Sequence, residues 1–207
     1  MISYKTLSYA AGLCFILCVN TNVQGEQKKV DIEDISTTQA RVIDSAFLTI
    51  LKKHKINTAA VAIIKDRKIV WQNQYGLQTP GIPASADSLF YVASLTKTVT
   101  TETILRLVAK GKLSLDDSVA EYWTDPDLEG DPQLLQLTPR MLLSHTGGFM
   151  NWRYFADDGK LSFSHSPGST FNYSGEGFEY LAKYAEKKLG IPFEQLVQDN
   201  VFKPLGM

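Results

Sequence analysis

Between residues 37 and 55 apolar side chains return at Ala40, Ile43, Phe47, Ile50 and Leu51, a spacing that gathers them on one helical face. The period then shortens. Two β-rich runs, 59-AAVAIIK-65 and 69-IVWQNQY-75, are joined by Lys65-Asp66-Arg67-Lys68 and predict a hairpin. A positive φ at Arg67, if the turn needs one, would cost a non-glycine residue about 1 kcal/mol. Residues 77–93 read as a loop punctuated by Pro80-Gly81 and Pro83. In the stretch that follows, Leu95, Val99, Leu105 and Val108 form an apolar stripe, with Gly111 as the helix stop. Thr138 as N-cap and Pro139 at the first helical position start a short helix that ends before Gly147-Gly148. An aromatic-bearing loop spans 150–170, and a last helix runs from about Gly177 to Leu189. No repeat, low-complexity tract or Pro/Ser-rich linker interrupts residues 26–207, which read as one domain.

The N-terminus stands apart. Lys5 is the only charge before Glu26, and Leu7 to Val19 is an apolar run too short to span a bilayer as an ordinary helix. It suits the core of a secretory signal, and Val23-Gln24-Gly25 offers a cleavage site, so residues 1–25 are expected to be a signal peptide and Glu26 the mature start. An uncleaved membrane anchor is the competing reading, and it would be the chain's one contact with a membrane. Both cysteines, Cys14 and Cys18, fall inside this run, so the mature chain would carry no disulfide, thiolate metal site or cysteine nucleophile. Export without disulfides fits a periplasmic or secreted protein, the periplasm better. Of the full chain's 207 residues 44% are apolar and the net charge is −1, enough for a core and without the basic field that nucleic acid demands.

One polar pair within the helical stretch 90-FYVASLTKTVTTETILRLVAKGK-112 draws attention to chemistry. Ser94 and Lys97 are three residues apart and share a helix face. A serine hydroxyl is a poor nucleophile until a neighbour takes its proton, and burial or a nearby cation can bring a lysine amine toward that task. A serine at a helix N-terminus also meets the positive end of the dipole, where an oxyanion could develop. Taken alone, the same spacing fits a capping serine and a solvated lysine better.

The segments 87-DSLFYVASLTKTVTT-101, 107-LVAKGKLSLDDSVAEYW-123, 137-LTPRMLLSHTGGF-149, 167-PGSTFNYSGEGFEYLAKYAEKKLG-190 and 201-VFKPLGM-207 change that balance. In order and spacing they resemble the serine β-lactamase-like hydrolases, nearest to class C β-lactamases and related DD-peptidases, D-aminopeptidases and esterases, over about residues 56–207. The resemblance implies an α+β, β-lactamase/transpeptidase-like fold: an antiparallel sheet flanked by helices, plus a helical region. It implies that Ser94 is the acylated serine, that Lys97 shares its proton network, and that Tyr173 acts as base for the serine and then as acid for the leaving group. Ser174 and Gly175 complete the family's Y-x-N motif as substrate-contacting positions, with Gly175 where the family has Asn. No cofactor and no metal is implied; the partner is a small-molecule or peptide substrate.

The family's third motif, a K-T-G or H-x-G strand, has no counterpart in the sequence, so the sheet is expected to be incomplete and the chain to be the N-terminal part of one hydrolase domain. Loss of an oxyanion donor of that kind costs about 10²–10³ in rate. Two functions stay open on the sequence: a serine hydrolase that forms an acyl-enzyme from an amide, lactam or ester, and an inactive fragment or peptide-binding protein on the same scaffold. His54, His145 and His165 lack a G-x-S-x-G elbow and metal-ligand spacing, and His145 is expected to shape a turn. Trp152, Tyr154 and Phe155 read as packing residues or cleft lining, and Asp116-Asp117 as a solvated turn.

Overall fold

The computed structural model describes residues 35–207; the signal-peptide expectation for residues 1–25 lies outside them. The chain divides into two compact units, one ending at Val92 and the other running from Ala93 to Met207.

The first unit is a helix on a small antiparallel sheet. Helix α1, Thr37–His54, opens with a capping box: the Gln39 N–H donates to the Ser36 hydroxyl (3.3 Å) and the Ser36 N–H donates to Gln39 Oε1 (2.9 Å). It closes on Lys55 at φ 54°, with Lys52, Lys53 and His54 in the last turn, where cations suit the negative dipole end. Strands β1 (Thr58–Lys65) and β2 (Lys68–Thr79) pair antiparallel, and Asp66 (φ 49°) and Arg67 (φ 65°) form the two-residue turn. Arg67 therefore carries the positive φ that its sequence position suggested. Phe47 of α1 stacks on Tyr75 of β2 at 5.5 Å, and Asp44 accepts hydrogen bonds from the Tyr75 hydroxyl (2.7 Å) and Asn73 Nδ2 (2.8 Å). Those two bonds hold the Asp44 carboxyl below its ordinary range, while burial and the same carboxylate push the Tyr75 phenol up. The inward face of α1 thus includes Asp44, and Ile50, expected there, is exposed. The expected loop also starts late: β2 runs on to Thr79 and turns at Pro80-Gly81 into β3 (Ile82–Pro83). At Gly76 a side chain is impossible, since a Cβ would lie 1.9 Å from the Asn57 carbonyl oxygen.

The second unit is helical. Its core joins Ile104 and Leu107 of α2 (Thr96–Ala109), Leu142 of α3 (Pro139–Leu143), Tyr180, Leu181 and Tyr184 of α4 (Gly175–Leu189) and Leu196 of α5 (Phe193–Val197) to the intervening loops. A π-helical turn at Gln198–Phe202 leads into α6, Lys203–Leu205. Helix α3 is capped as expected, Thr138 accepting from the Met141 N–H with Pro139 at the first position. The buried face of α2 differs from the expected stripe. Thr100, Thr103, Ile104 and Leu107 point inward and Leu95 and Leu105 are exposed, because Thr103 returns its hydroxyl to the Val99 carbonyl (2.9 Å) and can be buried at no polar cost. Asp116 and Asp117 do more than solvate a turn: Arg140 donates to both oxygens of Asp116 (2.7 and 2.8 Å), and Lys188 donates to Asp117. Among the described residues no helix is long and apolar enough to cross a membrane.

The hairpin turn yields a direct test. Arg67→Gly removes the left-handed strain of a non-glycine residue and is expected to raise stability by about 1 kcal/mol, read as a higher midpoint in thermal melting. Arg67→Val, which places a β-branched residue at the same φ, is expected to lower it.

Candidate active site

Every residue of the candidate site belongs to the second unit. Ser94 lies in a 3₁₀ turn, Ala93–Leu95, that runs directly into α2, and Ala93 before it sits at φ 45°. In such a turn positions i and i+3 eclipse, so Lys97, in the first turn of α2, comes back under the serine. Its Nζ donates to Ser94 Oγ at 3.4 Å. From 79 residues further along, the Tyr173 hydroxyl donates to the same oxygen at 2.8 Å. An amine and a phenol therefore converge on Ser94 Oγ, with the positive end of the α2 dipole at the serine.

The electrostatics follow from that convergence. The hydrogen bond with Ser94 and then that with Lys97 hold the Tyr173 phenol below its ordinary value, against slight burial; the positive charge of Lys97 adds to the effect. Three aromatic rings surround the ammonium: Tyr173, Phe178 and Trp152, with centroids 5.0, 5.7 and 5.8 Å from Nζ. Ser94 is exposed and Tyr173 is 39% exposed, so both groups face solvent on one side.

Tyr173 owes its position to His145. The Asn172 N–H donates to the His145 carbonyl (2.7 Å), the Ser174 N–H donates to His145 Nδ1 (3.0 Å), and the imidazole packs on the Tyr173 ring with centroids 4.5 Å apart. The histidine thus grips the chain on both sides of the tyrosine. Burial, and then the charge of Lys97, lower its pKa and favour the neutral ring, the form in which Nδ1 can accept. His145 itself sits at φ 57°, so the turn-shaping role expected from sequence is joined by a side-chain role that sequence did not suggest.

Helix α4 begins at Gly175, two residues before the expected start. Ser174 is its N-cap and is buried; its hydroxyl accepts from the Gly177 N–H (2.9 Å) and donates to the Met150 carbonyl (2.8 Å). The Gly175 N–H donates to Asn151, to both its carbonyl oxygen and Oδ1 at 2.9 Å, and the Glu176 N–H donates to the Asn151 carbonyl at 3.0 Å. Glu176 in turn accepts from the Arg153 N–H (2.9 Å) and from its guanidinium, which also reaches Asp125 and Asp127 (both 2.8 Å). Burial alone would push the Asp125 carboxyl up; the bonds from Arg153 and the Asp127 N–H outweigh it and hold the carboxyl below the ordinary range. Of the remaining sequence candidates, Trp152 is half-buried beside Lys97, while Tyr154 and Phe155 are exposed, Tyr154 stacked on the indole. His54 and His165 are exposed and take no part.

The chain matches the Beta-lactamase family over residues 43–207. It is 28% identical over 204 residues to "Esterase EstB" of Burkholderia gladioli, a match covering 84% of this chain and 51% of that protein. It is 27% identical over 225 residues to the D-alanyl-D-alanine-carboxypeptidase/endopeptidase AmpH of Escherichia coli K12, covering 98% and 56%. Among solved structures, a class C beta-lactamase superposes with a TM-score of 0.68 at 26% identity, over 81% of this chain and 48% of that one. The chain spans about half the length of the curated relatives it matches.

The His145 grip has a pH signature. Because the folded-state pKa is depressed, the neutral ring stabilises the fold above the ordinary histidine value of about 6.5, and that stability is lost as pH falls below it toward the folded value. Melting midpoints are expected to drop over that interval in the native chain and to change less in His145→Asn, which tolerates the positive φ. His145→Ala, which strands the Ser174 N–H, is expected to cost about 1–3 kcal/mol.

Proposed function

Since the chain belongs to the beta-lactamase family, we propose that it carries the nucleophilic half of a serine acyl-transfer hydrolase that cleaves an amide, lactam or ester carbonyl through an acyl-enzyme. The observation that supports this most directly is the convergence of Tyr173 and Lys97 on Ser94 Oγ. In this reading the reactive form has Tyr173 ionised next to the Lys97 ammonium, so that the bond to Ser94 reverses and the serine hydroxyl donates to the phenolate; Tyr173 takes that proton as Oγ bonds to the carbonyl carbon. The carbonyl π electrons move onto oxygen, beside the positive end of α2. When the tetrahedral intermediate collapses, the Tyr173 proton passes to the departing nitrogen or oxygen and the C–N or C–O bond breaks. Water then repeats the cycle: its proton goes to Tyr173, its oxygen bonds to the acyl carbon, and Ser94 leaves with the proton. Lys97 acts throughout as the charge that keeps the phenol acidic.

We infer that the reaction takes place outside the cytoplasm; the apolar run from Leu7 to Val19 and a stretch without cysteine over residues 26–207 support this reading.

Labelling with a fluorophosphonate and with a fluorescent penicillin tests the assignment. Label is expected on Ser94 in the native chain and none in Ser94→Ala; retained label in that variant would place the nucleophile elsewhere. Tyr173→Phe is expected to slow labelling by about 10²–10⁴-fold, the usual worth of a positioned proton acceptor. Because the phenol is held below its ordinary value, the labelling rate should rise with pH and level off below pH 10, the ordinary phenol midpoint. Lys97→Ala should move that midpoint upward; an unmoved midpoint would remove Lys97 from the proton network.

A further inference from the structure

The wall of the site beside Lys97 is built in an unexpected way. Gly175, the first residue of α4, has no room for a side chain: a Cβ there would lie 2.3 Å from Cζ2 of Trp152 and 2.4 Å from Cη2. Since real Cβ contacts are never that short, any larger residue at 175 has to expel the indole. The backbone that carries the indole is fixed on both sides. Asn151 before it accepts the Gly175 and Glu176 N–H groups, and Arg153 after it is bonded to Glu176 through both its own N–H and its guanidinium. The Trp152 backbone is thus held from both sides against the start of α4, and its ring lies over Gly175. Its ring centroid is 5.8 Å from Lys97 Nζ, which in turn donates to Ser94 Oγ.

On this side, then, an acyl donor seated at Ser94 meets the face of an indole, where a side chain at 175 would have offered a hydrogen-bonding group. A flat apolar wall accepts hydrocarbon and leaves a polar amide facing it unpaired, and a site discriminates strongly against a partner whose polar group it strands. Resting on the acyl-transfer reading above, we propose that Trp152 and Gly175 form a specificity-determining pair. It directs the site to simple carboxylic esters with apolar acyl groups and away from acyl donors, penicillins among them, that would turn an amide toward the indole.

The test is a double-mutant cycle on the whole chain with Trp152→Ala, Gly175→Asn and the two combined. Thermal melting reads the steric half. Gly175→Asn alone is expected to lower the midpoint by roughly 3–10 °C through overpacking, and the double variant to recover most of the loss. If Asn at 175 lowers the midpoint equally with the indole present or absent, the two residues are not a pair. Acylation rates with p-nitrophenyl butyrate and with a fluorescent penicillin read the specificity half. The native chain is expected to favour the ester, and the double variant to shift the ratio toward the penicillin by about tenfold or more. An unchanged ratio overturns the specificity role. A native chain labelled by no reagent, fluorophosphonate included, overturns acyl transfer itself and the substrate preference with it; the melting cycle still decides whether the pair exists.

Discussion

The backbone N–H groups at the start of α4 have no helical partners, and four of them find acceptors here in residues brought from elsewhere or from the cap. Ser174 donates to the His145 ring, Gly175 and Glu176 to Asn151, and Gly177 to the Ser174 hydroxyl. That requirement fastens the segment 145–153 to the helix, and the site follows from the fastening. Tyr173 is held one residue before the cap, aimed at Ser94, because His145 grips both of its neighbours. Trp152 is held against Lys97 because Asn151 and Arg153 are occupied on either side of it. A helix end that had to be capped has become the frame that sets a phenol and an indole around an amine.

The charge pattern is consistent with that frame. Lys97 faces aromatic rings and a hydroxyl, with the carboxylates gathered elsewhere: Asp125, Asp127 and Glu176 all converge on Arg153. No hydrogen-bonded carboxylate among those described competes for the Lys97 ammonium, so its field acts on the Tyr173 phenol. Arg153 meanwhile neutralises acidic groups that are largely removed from water, an arrangement in which removing one partner costs far more than the pair contributes.

Periodicity and cap chemistry made much of the fold legible in advance. The helix over 37–54, the hairpin with positive φ at Arg67, the Thr138-Pro139 helix start and the Gly111 stop all follow from local rules. Where local rules failed, the cause was a residue used against type. Thr100 and Thr103 line the buried face of α2, while Leu105 on the same helix is exposed. The two glycines at 175 and 177 hid the true start of α4, because glycine disfavours helix unless something else needs the absent side chain. At 175 that something is the indole of Trp152, a relation across 23 positions that no window of sequence contains. The site divides in the same way. Spacing alone brought Ser94 and Lys97 together; Tyr173, far along the chain, became visible only through likeness to a family; the grip of His145 was visible through neither.

Ala93 carries the remaining lesson. An alanine in the left-handed region is uncomfortable by about 1 kcal/mol, and glycine would relieve it. Yet the methyl group that makes the turn costly also narrows the conformations its backbone can take, and the serine it precedes inherits that narrowness. Drift toward glycine at 93 would relax the turn and, in the same step, widen the range of directions in which the Ser94 hydroxyl is presented.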